Sequence, residues 1–287
     1  IETAVAMLAS TSIGAIWTSC AADFGLSIIT TRFSQTKPKI LFMSDGYSLN
    51  GKTFDLLPMI PQIFKQISSL EKIVVIPYIN SEPEIENILG TTLYKNFLIE
   101  EKNIEIEFEQ LPFDHPVYIV YTSGTTSVPK CIVHCAGGIL LQHFKEIYLH
   151  SDLKRDDKIY YTTSCSWVLW NWLMGALFIG ATIVLRDDSP FFPRADILFE
   201  LIDEVGITHF GTSARYVTSL EKLGIKPREK FNLGSLRVIM YGGSALFEEG
   251  YRYLYNNIKK DFMLSSMSGG TEIASCFAIG NPLKEVW

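Results

Sequence analysis

The feature that most constrains the fold is an alternation of short apolar strands with helical segments, which begins near residue 117. Strands are predicted at 117–120, 132–133, 159–163, 182–185, 207–210, 236–240 and 262–265. Helices are predicted between them at 138–150, 167–179, 194–205, 213–223 and 248–258. Strands that alternate with helices form largely parallel sheets with helices packed between and outside them. The sequence therefore predicts the α/β class, with stacked, largely parallel sheets.

The amino-terminal part has a weaker version of the same pattern. Residues 1–18 are small or apolar on most faces, which predicts a buried helix. Further helices are predicted at 28–34 and within 54–70, and strands at 39–43 and 72–76. Residues 80–115 are polar, acidic and poorly periodic, and we interpret them as a surface excursion.

One segment is long and apolar enough to be compared with a membrane span. Residues 167–185 are nearly all apolar, but Asn171, Gly175 and Gly180 interrupt them. The composition then changes to β-branched residues at 182–185. This pattern favours a buried helix that ends near Gly180 and is followed by a strand.

Composition excludes some classes of function. The chain has 287 residues, 47% of them hydrophobic, and a net charge of −6, so a basic face for nucleic acid is not expected. Its five cysteines are scattered, which is typical of reduced thiols in a cytoplasmic protein.

The chain begins at Ile1 within a predicted helix, without the features of a signal peptide, and stops at Trp287 without a closing element. We therefore expect it to be a fragment.

A loop rich in hydroxyl groups follows the first strand of the alternating region. Residues 121–130 read Tyr-Thr-Ser-Gly-Thr-Thr-Ser-Val-Pro-Lys. Side-chain hydroxyls, backbone N–H groups beside Gly124 and the charge of Lys130 suit a polyphosphate. The loop lacks the spacing of a Walker A motif, and the simpler alternative is a polar surface turn with a solvated lysine.

Three further groups of polar or glycine residues follow predicted strands, at 211–213, 241–245 and 267–272. Ligands of open parallel sheets bind at the carboxyl ends of the strands, so we expect these groups and 122–126 to converge at one edge. The glycines at 242 and 243 would let a flat ring lie against the backbone. Thr271 and Glu272 would supply a hydroxyl and a carboxylate for a phosphate and Mg²⁺. Tight turns and a capping glutamate are the simpler alternatives.

Two other clusters have plausible structural explanations. Three tryptophans at 167, 170 and 172 lie at a strand-to-helix junction, where at least one of them is expected to pack in the core. Cys131, His134 and Cys135 suggest a metal, but they lie in a strand where alternate side chains diverge. A zinc site would need four ligands, and the sequence offers no second cluster to supply them.

The motif at 121–130 resembles the phosphate-binding loop of the adenylate-forming superfamily, with Ser127 where the family usually has glycine. The Thr271-Glu272 pair resembles another motif of that superfamily, with Ser268 in place of the usual aromatic residue. Within the superfamily the chain most resembles the group of acetoacetyl-CoA synthetases. The segments that resemble this group are 4–9, 14–17, 23–25, 45–47, 111–116, 140–143, 170–172, 210–214 and 267–271.

The resemblance implies an incomplete large amino-terminal adenylation domain. Its first subdomain would span about 1–115 and its nucleotide-binding subdomain 116–287, without the mobile carboxy-terminal domain that carries the family's catalytic lysine. The implied activity is that of an acid–thiol ligase, which activates acetoacetate with MgATP and transfers the acyl group to CoA. The fragment alone would have little or no activity. Neither a membrane span nor a nucleic-acid partner is implied, and the sequence is silent on oligomeric state.

The resemblance also assigns roles to particular residues. Catalytic roles fall to Thr126, Lys130 and Glu272, with Glu272 as the metal ligand. ATP-binding residues would be Thr122, Ser123, Gly124, Thr125, Thr126, Lys130, Gly242, Gly243, Ser244, Ala245 and Thr271. Residues lining the substrate site would be Trp167, Val168, Leu169, Gly211, Thr212, Tyr241 and Gly269.

Gly269 carries a hypothesis about substrate size. In acetyl-CoA synthetases a tryptophan two residues before the motif threonine closes the acid pocket, and glycine at this position would leave room for acetoacetate. Two other functions stay open at this point. One is a synthetase for another short acid such as butyrate, and the other is a non-catalytic nucleotide-binding remnant.

Overall fold

The computed structural model describes residues 1–99, 105–122 and 129–285 and has the predicted α/β architecture. The chain divides into two compact units, residues 1–138 and 139–287. The predicted subdomain boundary at 115/116 lies upstream of this division. Each unit has its own sheets, and among the residues that the structure describes the six-stranded, mostly parallel sheet belongs to the second unit.

The first unit contains short strands and helices. Its described strands are β1 (Trp17–Thr18), β2 (Ile40–Ser44), β3 (Gly46–Leu49), β4 (Lys52–Asp55), β5 (Lys72–Ile76), β6 (Thr91–Leu93), β7 (Pro116–Thr122) and β8 (Lys130–Cys135). Its helices are α1 (Glu2–Ser12), α2 (Leu26–Thr36), α3 (Ile60–Gln66), α4 (Tyr94–Phe97) and the beginning of α5 (Ala136–Phe144). Strands β2, β5 and β6 form a parallel sheet, and β3 and β4 form a hairpin.

A third sheet of this unit carries the hydroxyl-rich loop. Strand β7 pairs with β1 in parallel and with β8 in antiparallel orientation. The registers place Thr122 opposite Lys130, at the end of the β7–β8 pair. The predicted loop therefore joins two antiparallel strands, so Lys130 begins the strand that returns along β7.

Two predictions for the first unit were wrong in detail. The predicted helix over 1–18 ends at Ser12, since Gly14 adopts a φ of +78°, and residues 17–18 form β1. Its outer face is not buried: Val5 and Leu8 are each 45% exposed. The polar stretch 80–115 also contains β6 and α4, which we did not predict.

The second unit is built on one six-stranded sheet. The strands are β9 (Lys158–Tyr161), β10 (Thr182–Ile183), β11 (His209–Ser213), β12 (Val238–Gly242), β13 (Met263–Gly270) and β14 (Ser275–Ala278), in the order β10-β9-β11-β12-β13-β14. All neighbours are parallel except β13 and β14. After α5 and a π-helical segment, Lys145–His150, the helices are α6 (Val168–Met174), α7 (Ala176–Ile179), α8 (Ile197–Val205), α9 (Ala214–Lys222) and α10 (Glu248–Asn257).

Local sequence explains where these helices start and stop. Ser213 accepts a hydrogen bond from the backbone N–H of Tyr216 and so caps the start of α9. Gly206 ends α8 in the left-handed conformation, with φ at +72°. One face of the sheet packs on α8, α9 and α10 through a buried cluster that includes Phe199, Phe210 and Leu254.

Strand β13 is longer than predicted. We expected it to end at 265, but it continues to Gly270 because residues 268–270 pair with β14. A register shift lies between Ser268 and Gly269. The Thr271-Glu272 motif therefore lies at the tip of a β-hairpin.

The apolar segment 167–185 forms α6, α7 and β10, as expected for a helical region followed by a strand. Within the described ranges, no helix has the length and apolar character needed to cross a membrane.

Candidate active site

Three of the predicted segments in the second unit lie together at the carboxyl ends of the parallel strands. In the paired registers, Ser213 lies opposite Gly242, and Gly242 lies opposite Met267. Tyr161 lies opposite Gly211, so the segment that leaves β9 towards Trp167 starts at the same edge. The carboxyl ends of these parallel strands are where an α/β sheet binds its ligands.

The turn after β12 contains Gly243, one of the exposed glycines among the predicted site residues. Gly243 is exposed, adopts a φ of +87°, and has no atom within 4 Å of the position that a Cβ would take. Ser244 and Ala245 are also exposed, whereas Gly242 is buried and packs near the carbonyl of Met267. This bare backbone is what the stacking of a flat ring requires.

Tyr241 does not present its ring to this turn. It is 2% exposed, it belongs to the core on the α8–α10 side, and its hydroxyl hydrogen-bonds that of Tyr251. Any contribution of Tyr241 to substrate binding would therefore come through the backbone that it anchors.

Thr271 and Glu272 lie in the turn that joins β13 to β14. The carboxylate of Glu272 is exposed and lies over Gly270, where a Cβ would be 3.1 Å from Oε2. Mg²⁺ typically binds one or two carboxylates together with phosphate oxygens and water, so a single exposed glutamate fits an ion that arrives with a nucleotide. No group of three or more potential metal-ligating side chains occurs in the part of the chain that the structure describes, the strand with Cys131 and Cys135 included.

Gly269 is not beside open space. A Cβ at this position would be 1.9 Å from the carbonyl oxygen of Ser275 and 2.8 Å from the Cα of Cys276. Glycine is needed here because the backbone of β14 approaches β13 closely. The volume that we assigned to a longer acid is thus occupied, in this direction, by the protein itself.

The predicted acid-binding residues lie on two neighbouring segments. Trp167 is 65% exposed and immediately precedes α6, followed by the half-buried Val168 and Leu169. Gly211 faces the ring of Tyr161, which a Cβ would meet at 2.0 Å. The hydroxyl of Thr212 is buried and has no hydrogen-bond partner among the described residues. Buried polar groups in proteins nearly always have a hydrogen-bond partner, and a bound ligand would be one way to supply it here.

Of the phosphate-binding residues, the structure describes Thr122 and Lys130, which pair across β7 and β8. Four others lie outside the described residues: Ser123, Gly124, Thr125 and Thr126. The start of the loop is firmly held. The Tyr121 hydroxyl is hydrogen-bonded to Thr18 at 3.0 Å and Thr36 at 3.2 Å, and the Arg32 guanidinium lies 4.9 Å from its ring centroid.

Sequence reasoning missed a group of side chains on α5 and the following π-helical segment. Gln142, His143 and Glu146 all contact residues 274–276, directly after the Thr271-Glu272 turn. Gln142 and Glu146 are four residues apart and so share one side of the helix, but nothing in the local sequence indicates partners about 130 residues away. All three belong to the second unit.

The thiol of Cys276 lies in this group and should make stability depend on alkaline pH. Burial, reinforced by the nearby Glu146 carboxylate, raises the pKa of Cys276 from 9.0 to about 12. The unfolded thiol ionises first, so the stability contributed by the neutral folded thiol is present below pH 9 and is lost as the pH rises towards 12. Urea unfolding between pH 8 and 11 measures this. As the pH rises, the free energy of unfolding of the parent protein should fall relative to that of Cys276→Ser. A pH-independent difference between them would contradict this.

The sequence profile described as "AMP-binding enzyme" matches residues 1–286. The chain belongs to the AMP-binding enzyme family. It is 45% identical to an acetoacetyl-CoA synthetase of Gallus gallus over 96% of its length, and 36% identical to a malonamoyl-CoA synthetase of Penicillium aethiopicum over 98%. A solved acetoacetyl-CoA synthetase from Streptomyces lividans superposes with a TM-score of 0.92 at 38% identity, over 98% of this chain.

These similarities confirm the fold class and the resemblance inferred from the sequence motifs. They also give the extent of the match. The chain spans 42% of the length of each of the two enzymes named from sequence and 43% of the solved chain.

Proposed function

We propose that this chain is part of an AMP-forming acid–thiol ligase that makes acetoacetyl-CoA from acetoacetate, ATP and CoA. The observation that carries the proposal is the 45% identity to an acetoacetyl-CoA synthetase, maintained over 96% of the chain. Gly243, Thr212 and the Thr271-Glu272 turn all follow or end parallel strands of the second unit. This arrangement supports the same reaction, because it places residues assigned to the nucleotide and residues assigned to the acid in one unit.

The reaction has two steps with balanced bonds. A carboxylate oxygen of the acid attacks the α-phosphorus of ATP, the bond from that phosphorus to the bridging oxygen breaks, and pyrophosphate leaves. The sulfur of CoA then attacks the acyl carbon, AMP leaves with the ester oxygen, and the thiol proton is released. The first step depends mainly on positioning and on stabilising negative charge.

We assign the roles as follows. Thr122, Lys130 and the adjoining hydroxyls at 123, 125 and 126 hold phosphates, and Thr271 contacts a phosphate oxygen. The backbone at 242–245 packs on the adenine, and residues 167–169 with Gly211 and Thr212 surround the acid. Magnesium held by Glu272 would neutralise phosphate charge.

The nature of the acid is supported by the second relative. Acetoacetyl and malonamoyl groups both have a carbonyl at the third carbon, and they differ only in a terminal methyl or amino group. A short acid with this carbonyl is therefore the substrate class that we favour over butyrate, which lacks it. Malonamate is the second candidate, favoured by the 36% identity to the Penicillium aethiopicum enzyme.

Cysteine usage supports a cytoplasmic location. None of the five cysteines forms a disulfide, as expected in a reducing compartment. We propose no nucleic-acid partner, because the net charge of −6 provides no basic face.

The test is acid-dependent exchange of labelled pyrophosphate into ATP by the complete protein, with acetoacetate, malonamate and butyrate compared at equal concentration. We expect acetoacetate to give the highest kcat/KM and butyrate to be at least about tenfold poorer, as a lost hydrogen bond to a substrate carbonyl implies. Nucleotide binding by calorimetry without exchange for any acid would instead indicate a non-catalytic remnant. Equal exchange with butyrate would reject the proposed acid class.

A further inference from the structure

Glu146 is a fully buried carboxylate to which the proposed reaction gives no role. It is 0% exposed, yet it is surrounded by donors. Its Oε1 accepts hydrogen bonds from the Ser275 hydroxyl at 2.6 Å and the Cys276 backbone N–H at 2.7 Å. Its Oε2 accepts one from the Trp172 indole N–H at 3.0 Å. Gln142 donates a further bond at 3.1 Å, and the Lys145 ammonium lies 3.8 Å away.

These donors come from two elements that the proposed function uses. Ser275 and Cys276 begin β14, immediately after the turn with Thr271 and Glu272. Trp172 belongs to α6, whose first residue follows Trp167. One carboxylate therefore joins the hairpin assigned to phosphate and magnesium to the helix assigned to the acid.

Neighbouring contacts act on the same part of the hairpin. The ring of His143, one helical turn before Glu146, hydrogen-bonds the carbonyl of Ala274 at 3.3 Å. Ala274 itself adopts a φ of +46°, a conformation that alanine rarely takes without support from its surroundings. The chain is thus held at three consecutive residues, 274–276, where it leaves the turn and enters β14.

Burying a carboxylate carries a large desolvation cost before its hydrogen bonds form, and an apolar contact of similar size often stabilises a core equally well. The placement of this charge between two functional elements therefore suggests a role in geometry. We infer that Glu146 is a positioning residue, which fixes the Thr271-Glu272 turn relative to α6 for adenylate formation. This inference rests on the proposed function for its catalytic part only.

The experiment compares Glu146→Gln with a matched control, Asp157→Asn, in the complete protein. Asp157 is also a buried carboxylate of the second unit, and it accepts bonds from the Lys154 N–H at 2.8 Å and the Arg237 guanidinium at 2.9 Å. It immediately precedes β9 and so lies at the amino end of that strand, away from the carboxyl ends where the proposed site lies. Both variants keep the side-chain shape and remove the charge, so both should lower the melting temperature.

Only Glu146→Gln should disturb the hairpin. We expect amide hydrogen exchange in residues 273–277 to accelerate about tenfold, since the Cys276 N–H loses its charged acceptor. We expect kcat for pyrophosphate exchange to fall by about 10- to 100-fold, with the KM for ATP changed by less than about threefold. Asp157→Asn should leave both the exchange of 273–277 and kcat as in the parent protein.

Two results would overturn the inference: unchanged exchange and kcat in Glu146→Gln, or the same changes in Asp157→Asn. If Glu146→Gln does not fold, Ser275→Ala, which removes one donor and keeps the carboxylate, must accelerate exchange at 273–277, and failure to do so rejects the role. Absence of pyrophosphate exchange in the parent protein would refute the proposed function. The hydrogen-exchange comparison would then decide by itself whether Glu146 fixes the hairpin.

Discussion

Replacing Gly269 by alanine should destabilise the β13–β14 hairpin and abolish most adenylation activity. The added Cβ would be 1.9 Å from the carbonyl oxygen of Ser275, and no side-chain rotation relieves a clash with backbone. We expect a loss of about 3 kcal/mol in the free energy of unfolding, at the upper end of overpacking effects. A shift of the turn by about 1 Å should also reduce pyrophosphate exchange by roughly 100-fold. Urea unfolding and exchange kinetics on the complete protein measure both quantities.

Gly270→Ala is the matched control for this prediction. Its Cβ would meet only the flexible carboxylate end of Glu272, at 3.1 Å. The free energy of unfolding of this variant should therefore lie within about 1 kcal/mol of the parent value. If Gly269→Ala were as stable and active as the parent, the close approach of β14 would not matter. The same geometry affects the substrate-size hypothesis, because Gly269→Trp would disrupt the hairpin before it could report on acid selectivity.

The example of Gly269 marks how far the sequence could predict the site. Motif order and strand–helix alternation were enough to place Gly243, Thr212 and Glu272 at strand ends, since parallel strands align their carboxyl ends. They could not predict what occupies the space next to Gly269, where a larger residue would place its side chain. That depends on β14, which follows the motif and pairs with β13 in antiparallel orientation. A strand that ends at residue 265 leaves Gly269 in an open loop, whereas the observed strand ends at Gly270 and packs it against Ser275.

Burial of polar side chains was equally hard to anticipate. Glu146 lies within the predicted helix 138–150, and its partners Ser275 and Cys276 are about 130 residues away in sequence. No local pattern encodes such a long-range contact. Most strands and helices of the second unit, by contrast, were predicted close to their observed ends, because they carry their own apolar periodicity and, as at Ser213 and Gly206, residues that cap helices. The exceptions are β13, which is longer than predicted, and β14, which was not predicted.

Gly243→Ala should have the opposite signature to Gly269→Ala, with little effect on folding and a large effect on nucleotide binding. No atom lies within 4 Å of the added Cβ, so no packing clash is expected, and the φ of +87° costs about 1 kcal/mol for a residue with a side chain. If adenine lies against this backbone, the methyl group occupies its place. We expect the KM for ATP to rise by roughly 10- to 100-fold, the effect of 1–3 kcal/mol from a badly placed methyl group. The KM for the acid should change little.

Gly206→Ala separates the backbone strain from the loss of nucleotide contact. Gly206 has a similar φ of +72° and open space around its Cβ position, but it ends α8 and belongs to no proposed site. Both variants should therefore lose about the same stability, near 1 kcal/mol, while only Gly243→Ala weakens ATP binding by calorimetry. Equal ATP affinity in the two variants would mean that the exposed turn after β12 does not contact the nucleotide, and the assignment of residues 242–245 would have to be given up. Weaker binding in Gly243→Ala alone, at matched stability, has no explanation in folding and would support adenine contact at this turn.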